Sequence, residues 1–174
     1  MIQSSPIIVK VNPSSTSDIN DFYKKVKLSC VDYESLSYEE FLDCRNSIYQ
    51  VYQQNSYSPY GFIGCRKAFI NNKDLGIDDL PYHCQKNDMV YEIKFIHYED
   101  FYNKDTENRN STKKAIMNKL IYECLADKND SFCIVKDCLC RSIYTDNYNC
   151  LIDNDFKKID DAKNPYWIRY PRTQ

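Results

Sequence analysis

The sequence predicts an α+β fold: residues 1–103 form a mixed sheet wrapped around one helix, and residues 104–174 add a smaller α+β extension ending in an extended arm, about 164–174. Three observations lead there. Runs of β-branched and aromatic residues occur four times before residue 100. A capped amphipathic stretch lies between the second and third of them. A charged stretch with no apolar period then separates the last run from a second helical pattern.

Taken in order, "SPIIVKVNP" (Ser5 to Pro13) is a β-branched run closed by Pro. In "KKVKLSCVDY", Val26, Leu28 and Cys30 alternate with Lys27, Ser29 and Val31, so the two runs read as a hairpin. "LSYEEFLDCRNSIYQVYQQ" follows. Ser37 with Glu40 makes a capping box, Leu36 and Phe41 make a hydrophobic staple, and Phe41, Ile48 and Tyr52 with Leu42 and Tyr49 form one apolar helical face. Strands are expected over Phe62 to Ile70 and from Val90 or Tyr91 through Ile93, Phe95 and His97, joined by the turn-rich connector "NNKDLGIDDLPYHCQKND".

Beyond the charged linker "HYEDFYNKDTENRNS", a helix capped by Ser111 is expected, its apolar side made of Ile116, Met117, Leu120, Ile121, Cys124 and Leu125. "SFCIVKDCLCRSIYTDNYNCLIDND" reads as short β-like runs broken by turns at Lys136-Asp137 and Thr145-Asp146-Asn147. The order strand, strand, helix, strand, connector, strand is that of the ubiquitin-like β-grasp. "SYEEFLDC" and "LGIDDLPYHCQKNDMVYEIKF" are similar to the corresponding stretches of ubiquitin-like domains.

Charge is divided between the halves. Residues 1–103 carry 10 Lys and Arg against 14 Asp and Glu, net −4; residues 104–174 carry 13 against 11, net +2. A surface facing a polyanion belongs to the C-terminal part. No apolar run reaches the roughly 18 residues of a membrane span, and "MIQSSPIIVK" has no secretory pattern, so a cytoplasmic location without membrane contact is expected. Nine cysteines without such a pattern read as reduced thiols.

Cys133, Cys138, Cys140 and Cys150 are a candidate zinc set, with the unpaired spacing C-x4-C-x-C-x9-C and buried free thiols as the simpler account. His83 and Cys84 are sequence neighbours whose side chains point apart in an extended connector, and His97 suits a packing role. No G-x-S-x-G, glycine-rich phosphate loop, H-E-x-x-H or paired-carboxylate signature occurs, so no catalysis, and no cofactor other than that zinc, is expected. The chain shows no Gly-Gly at its end, so a conjugated modifier is not expected either.

"FIHYEDFYNK", with Glu92, Ile93 and Phe95 in the strand and Glu99, Asp100, Phe101 and Asn103 after it, resembles a small eukaryotic family of ubiquitin-like proteins that is linked to microsporidian ribosome dormancy. That resemblance implies a monomeric, non-enzymatic factor that occupies the tRNA exit site and blocks translation, with the ribosome as partner. The arm "NPYWIRYPRTQ" suits such a role: Tyr166, Trp167 and Tyr170 offer faces for stacking on rRNA bases, and Arg169 and Arg172 offer charge for phosphates. The alternative for the arm is that Trp167 and Ile168 cover a small core. Alternatives for the whole chain are a ubiquitin-like protein-interaction adaptor without a nucleic-acid role, and a zinc-binding effector.

Overall fold

The computed structural model describes residues 6–12, 14–29, 36–52, 61–69, 75, 77, 80, 89–98, 106–136, 146–160 and 163–172. They form a seven-stranded sheet flanked by helices: β1 Ile7–Lys10, α1 Thr16–Ser29, α2 Tyr38–Asp43, β2 Ile48–Tyr52, β3 Gly61–Phe69, β4 Met89–Tyr98, α3 Thr106–Leu125, β5 Cys133–Lys136, α4 Asp146–Asp153, β6 Lys157–Ile159 and β7 Tyr166–Arg169. The strand order is β1-β2-β3-β4-β5-β7-β6. All described neighbours are antiparallel except β4 and β5, the parallel pair that α3 connects.

Alternation along β3 assigns the two faces. Phe62 and Gly64 face α1 and α2: the Phe22 ring lies 5.4 Å from Phe62 and 6.4 Å from Phe95, and Phe41 lies 5.7 Å from Phe95. Cys65 points the other way and meets Cys124 of α3. Helix α4 packs on α3, with Cys150 Sγ 3.6 Å from the Lys114 carbonyl and Asn154 Nδ2 donating to Asn118 Oδ1 at 3.2 Å. A second apolar cluster, including Val90, Ile134, Tyr166 and Ile168, lies toward the β5 side of the sheet.

This architecture corrects the expected β-grasp with a single wrapped helix and a free arm. Residues 16–29 form a helix because Ile19, Phe22 and Val26 recur at helical spacing and are buried. Leu28, which belonged to the expected strand alternation, is 88% exposed. The capping box of Ser37 and Glu40 is present, yet its helix ends at Asp43. Ile48–Tyr52, expected to continue the helix, is instead β-branched and aromatic sequence held between β1 and β3.

Strands β3 and β4 fall where expected. Helix α3 buries all six of the expected apolar positions but starts five residues before Ser111. The stretch containing Tyr148 and Cys150 is helical rather than β-like. Across the expected 103/104 boundary the sheet is continuous, since β4 pairs with β5.

Gly64 is required by close approach. A Cβ there would lie 2.1–2.6 Å from the Phe95 ring, which is held among Phe22, Phe41 and Phe62. Gly64→Ala should therefore destabilise the protein by about 1–3 kcal/mol through overpacking. A urea unfolding curve checks this, and an unchanged midpoint would contradict the packing described.

Candidate functional site

Along β3, Gly64 faces Phe95 of β4 and Cys65 faces Ile93, leaving Lys94 as an extra residue in β4. Such a bulge bends the strand and shifts its face alternation by one. On the other side of β4, the parallel ladder to β5 has, among the described residues, the pairs Tyr91–Cys133 and Glu92–Ile134. Both strands continue, to Tyr98 and Lys136, with no further pair among the described residues. The sheet therefore forks just where β4 bulges.

Helix α3 carries the chain back from the carboxyl end of β4 to the amino end of β5. Its first turn thus lies at the end where the fork opens, the usual place for a ligand in a sheet with a parallel crossover, and its backbone N–H groups favour an anion.

At the last rung stands Glu92, fully buried. Arg66 grips Oε1 with Nε and Nη2, both at 3.0 Å, and reaches Asp43 Oδ2 with Nη1 at 3.4 Å. The ammonium groups of Lys94 and Lys136 each lie 3.8 Å from Oε2, and Lys94 also lies 3.6 Å from Glu40 Oε1. Among the described residues Oε2 accepts no hydrogen bond. A buried carboxylate oxygen that two ammonium groups approach at 3.8 Å without hydrogen-bonding it keeps acceptor capacity at the base of the fork, where it can receive a proton.

The arm residues are placed differently from their expected exposure to a nucleic acid. Tyr166, Trp167, Ile168 and Arg169 are β7, buried between β5 and β6. Trp167 and Ile168 therefore cover a core, the alternative weighed above. Arg169 Nη2 donates to the Lys128 carbonyl at 3.2 Å and lies 3.4 Å from Cys133 Sγ; Arg172 Nη2 donates to Asp155 Oδ2 at 2.8 Å. The Tyr170 ring meets Phe132 edge-on at 5.3 Å. Both arginines thus hold protein partners.

Cys133 and Cys150 serve separate neighbours, Arg169 and the Lys114 carbonyl. Cys138 and Cys140, like His83 and Cys84, lie outside the described residues. No group of three or more His, Cys, Asp or Glu able to hold a metal occurs among the described residues. His97 packs on Phe62, with ring centroids 5.5 Å apart. No helix of the described residues is long and apolar enough to cross a membrane. Sequence reasoning uses Glu92 only as part of a strand pattern; the signal that singles it out is one carboxylate inside the apolar run "MVYEIKF".

No protein-family model matches the chain, and no curated protein matches it in sequence. Its fold does match solved structures over nearly its whole length. An aminoglycoside 6'-acetyltransferase of type Ii is similar with TM-score 0.51 at 14% identity, over 97% of this chain and 99% of that one. The Arabidopsis thaliana protein NAA60, in complex with acetyl-CoA, gives 0.53 at 11%, over 95% and 99%. A mosquito arylalkylamine N-acetyltransferase-like protein gives 0.56 at 6%, over 95% and 99%. The fold is that of the GNAT acetyltransferases.

These likenesses correct the resemblance to ubiquitin-like dormancy factors and, with it, the expected translation block, ribosomal partner and adaptor alternative: the structural neighbours are all acetyltransferases. The expectation of a non-enzyme is corrected on the same ground.

Two outcomes follow from this placement. Truncation after Lys163 removes a strand from inside the sheet, so circular dichroism should show loss of the cooperative fold; a folded truncated chain would show that β7 is dispensable. Burial raises the Cys133 thiol from its ordinary 9.0 to about 11, partly offset by Arg169, and burial also pushes Cys44 up. At pH 8 both should resist iodoacetamide in the native protein and react once it is unfolded in urea, as read by mass spectrometry.

Proposed function

We propose that this chain is an N-acetyltransferase that uses acetyl-CoA as acyl donor and a primary amine as acceptor. The observation that carries the reading is the interrupted parallel ladder with Glu92 at its last rung. It is supported by the end-to-end likeness to two proteins whose names state acetyl transfer and to a third in complex with acetyl-CoA.

The residues present fit such a donor in two respects. An extended ligand rich in amides suits a strand edge from which the neighbouring strand has parted. A diphosphate suits the first turn of the twenty-residue helix α3, where backbone N–H groups and the helix dipole point outward. The stretch between β4 and that turn has no Gly, and the chain's three lie at Gly61, Gly64 and Gly76, so no glycine cradle contributes. Lys104, Arg109 and Lys113 supply positive charge in the same stretch of sequence. Bound there, the donor supplies a thioester-activated acetyl group.

Glu92 is the group in the chain assigned to proton handling. Arg66 fixes the carboxylate through Oε1, which leaves Oε2 to accept the proton that an acceptor ammonium must lose before its free amine can attack the thioester. Lys94 and Lys136 stabilise the carboxylate before that transfer.

Purified protein should transfer radiolabelled acetyl groups from acetyl-CoA to members of a primary-amine panel. Glu92→Gln, nearly isosteric, should lower kcat by about 10²–10⁴-fold while leaving acetyl-CoA affinity little changed. Failure to bind acetyl-CoA, together with no transfer to any amine, would overturn the reading.

A further inference from the structure

The end of the sheet away from the fork holds a cleft of about 630 Å³, within the size range of small-ligand sites. Among the described residues its charged lining is Lys10, Asp43, Arg66, Lys67, Asp127 and Lys128. From these residues we infer a second ligand site, specific for a phosphoryl dianion.

The backbone supplies the first donor. Strand β2 begins at Ile48, opposite Gly64, so β3 runs on past its neighbour. The Cys65 N–H on that side is taken by the Ser47 carbonyl at 3.1 Å, and the next residue facing the same way is Lys67. Tyr91, the β4 residue opposite Lys67, gives its own N–H to the Phe132 carbonyl at 2.9 Å, away from β3. Lys67 and Tyr91 are therefore a non-hydrogen-bonded pair, and the Lys67 N–H points out into the cleft. Among the described residues nothing bonds it.

The side chains supply the rest. Asp43 and Glu92 neutralise Arg66, and Asp127, at 2.7 Å, neutralises Lys128. Lys128 is fixed further by the Cys124 carbonyl at 2.8 Å and by the Tyr91 ring, 5.3 Å below its ammonium. Lys67 has no ion-pair partner among the described residues; Lys10 lies 5.9 Å above the Tyr49 ring, and its charge helps to hold Asp127 ionised. Four cations, Lys10, Arg66, Lys67 and Lys128, against two carboxylates, Asp43 and Asp127, leave the lining with an excess of two positive charges, which together with an outward backbone amide matches the charge and the acceptor oxygens of a phosphate monoester or of free phosphate.

The test follows the Lys67 amide by ¹H–¹⁵N NMR while the full-length protein is titrated with inorganic phosphate and, separately, with phosphoserine, against sodium chloride at matched ionic strength. Saturable shifts at Lys67 in either phosphoryl compound but not in chloride support the site. Tighter phosphoserine binding identifies an esterified ligand, and equal binding identifies free phosphate. The exposed substitution Lys67→Gln should weaken binding about tenfold, the loss of one charge-assisted contact. Equal shifts in chloride, an unmoved Lys67 amide, or an unchanged affinity of Lys67→Gln would overturn the inference. Acetyl transfer need not be measured, so the result does not depend on the acyltransferase reading.

Discussion

One extra residue in β4, Lys94, is the constraint on which the rest of the arrangement depends. At Tyr91 and Glu92 the strand pairs with neighbours on both sides; from Ile93 through the bulge it keeps β3 and, among the described residues, has no further pair with β5. The shifted alternation also puts Phe95 on the face of α1 and α2, where it fills the space left by Gly64 and gathers Phe22, Phe41 and Phe62 around it. A bulge thus does two things in one step: it builds the aromatic core on one face and opens the fork at the sheet's centre.

The same position explains why a charged cluster is tolerated inside the protein. Burying Glu92 alone would be prohibitive, and Arg66, Lys94 and Lys136 surround it with positive charge while Asp43 and Glu40 balance the cations. Removing one partner from such a set typically costs about 3–5 kcal/mol, because it strands the others without solvent. Arg66 joins two regions: its Nη2 holds the carboxylate at the fork, and its Nη1 meets Asp43 at the mouth of the cleft. A charge bound in that cleft would therefore be felt at Glu92 through one guanidinium.

Legibility in the sequence followed the strength of each local pattern. Strands β3 and β4 and the buried side of α3 were readable because their periodicities are long and clean. The stretch from Lys24 to Tyr33 invites a strand reading because Val26, Leu28 and Cys30 imitate one, although Ile19, Phe22 and Val26 carry the helical spacing that wins over residues 16–29. Ser37 and Glu40 announced a helix start truthfully, but a start says nothing about length, and pairing with two strands took Ile48–Tyr52 for the sheet. In the last segment, Pro165 and Pro171 flank an uninterrupted run, Tyr166 to Arg169, buried on both faces as a central strand must be. The site itself was nearly invisible, because a fork made by the failure of two strands to keep pairing leaves no motif, and Glu92 acquires meaning only from partners 26 residues back and 44 residues on, Arg66 and Lys136.

The central claim, that the fork between β4 and β5 is where acetyl-CoA binds, is tested most directly by hydrogen exchange on the full-length protein with and without acetyl-CoA. The account predicts slower exchange concentrated in the β4 amides between Lys94 and Tyr98 and in the first turn of α3, with β1, β2 and β6 unchanged. Protection confined to other elements, or none at saturating acetyl-CoA, would contradict it.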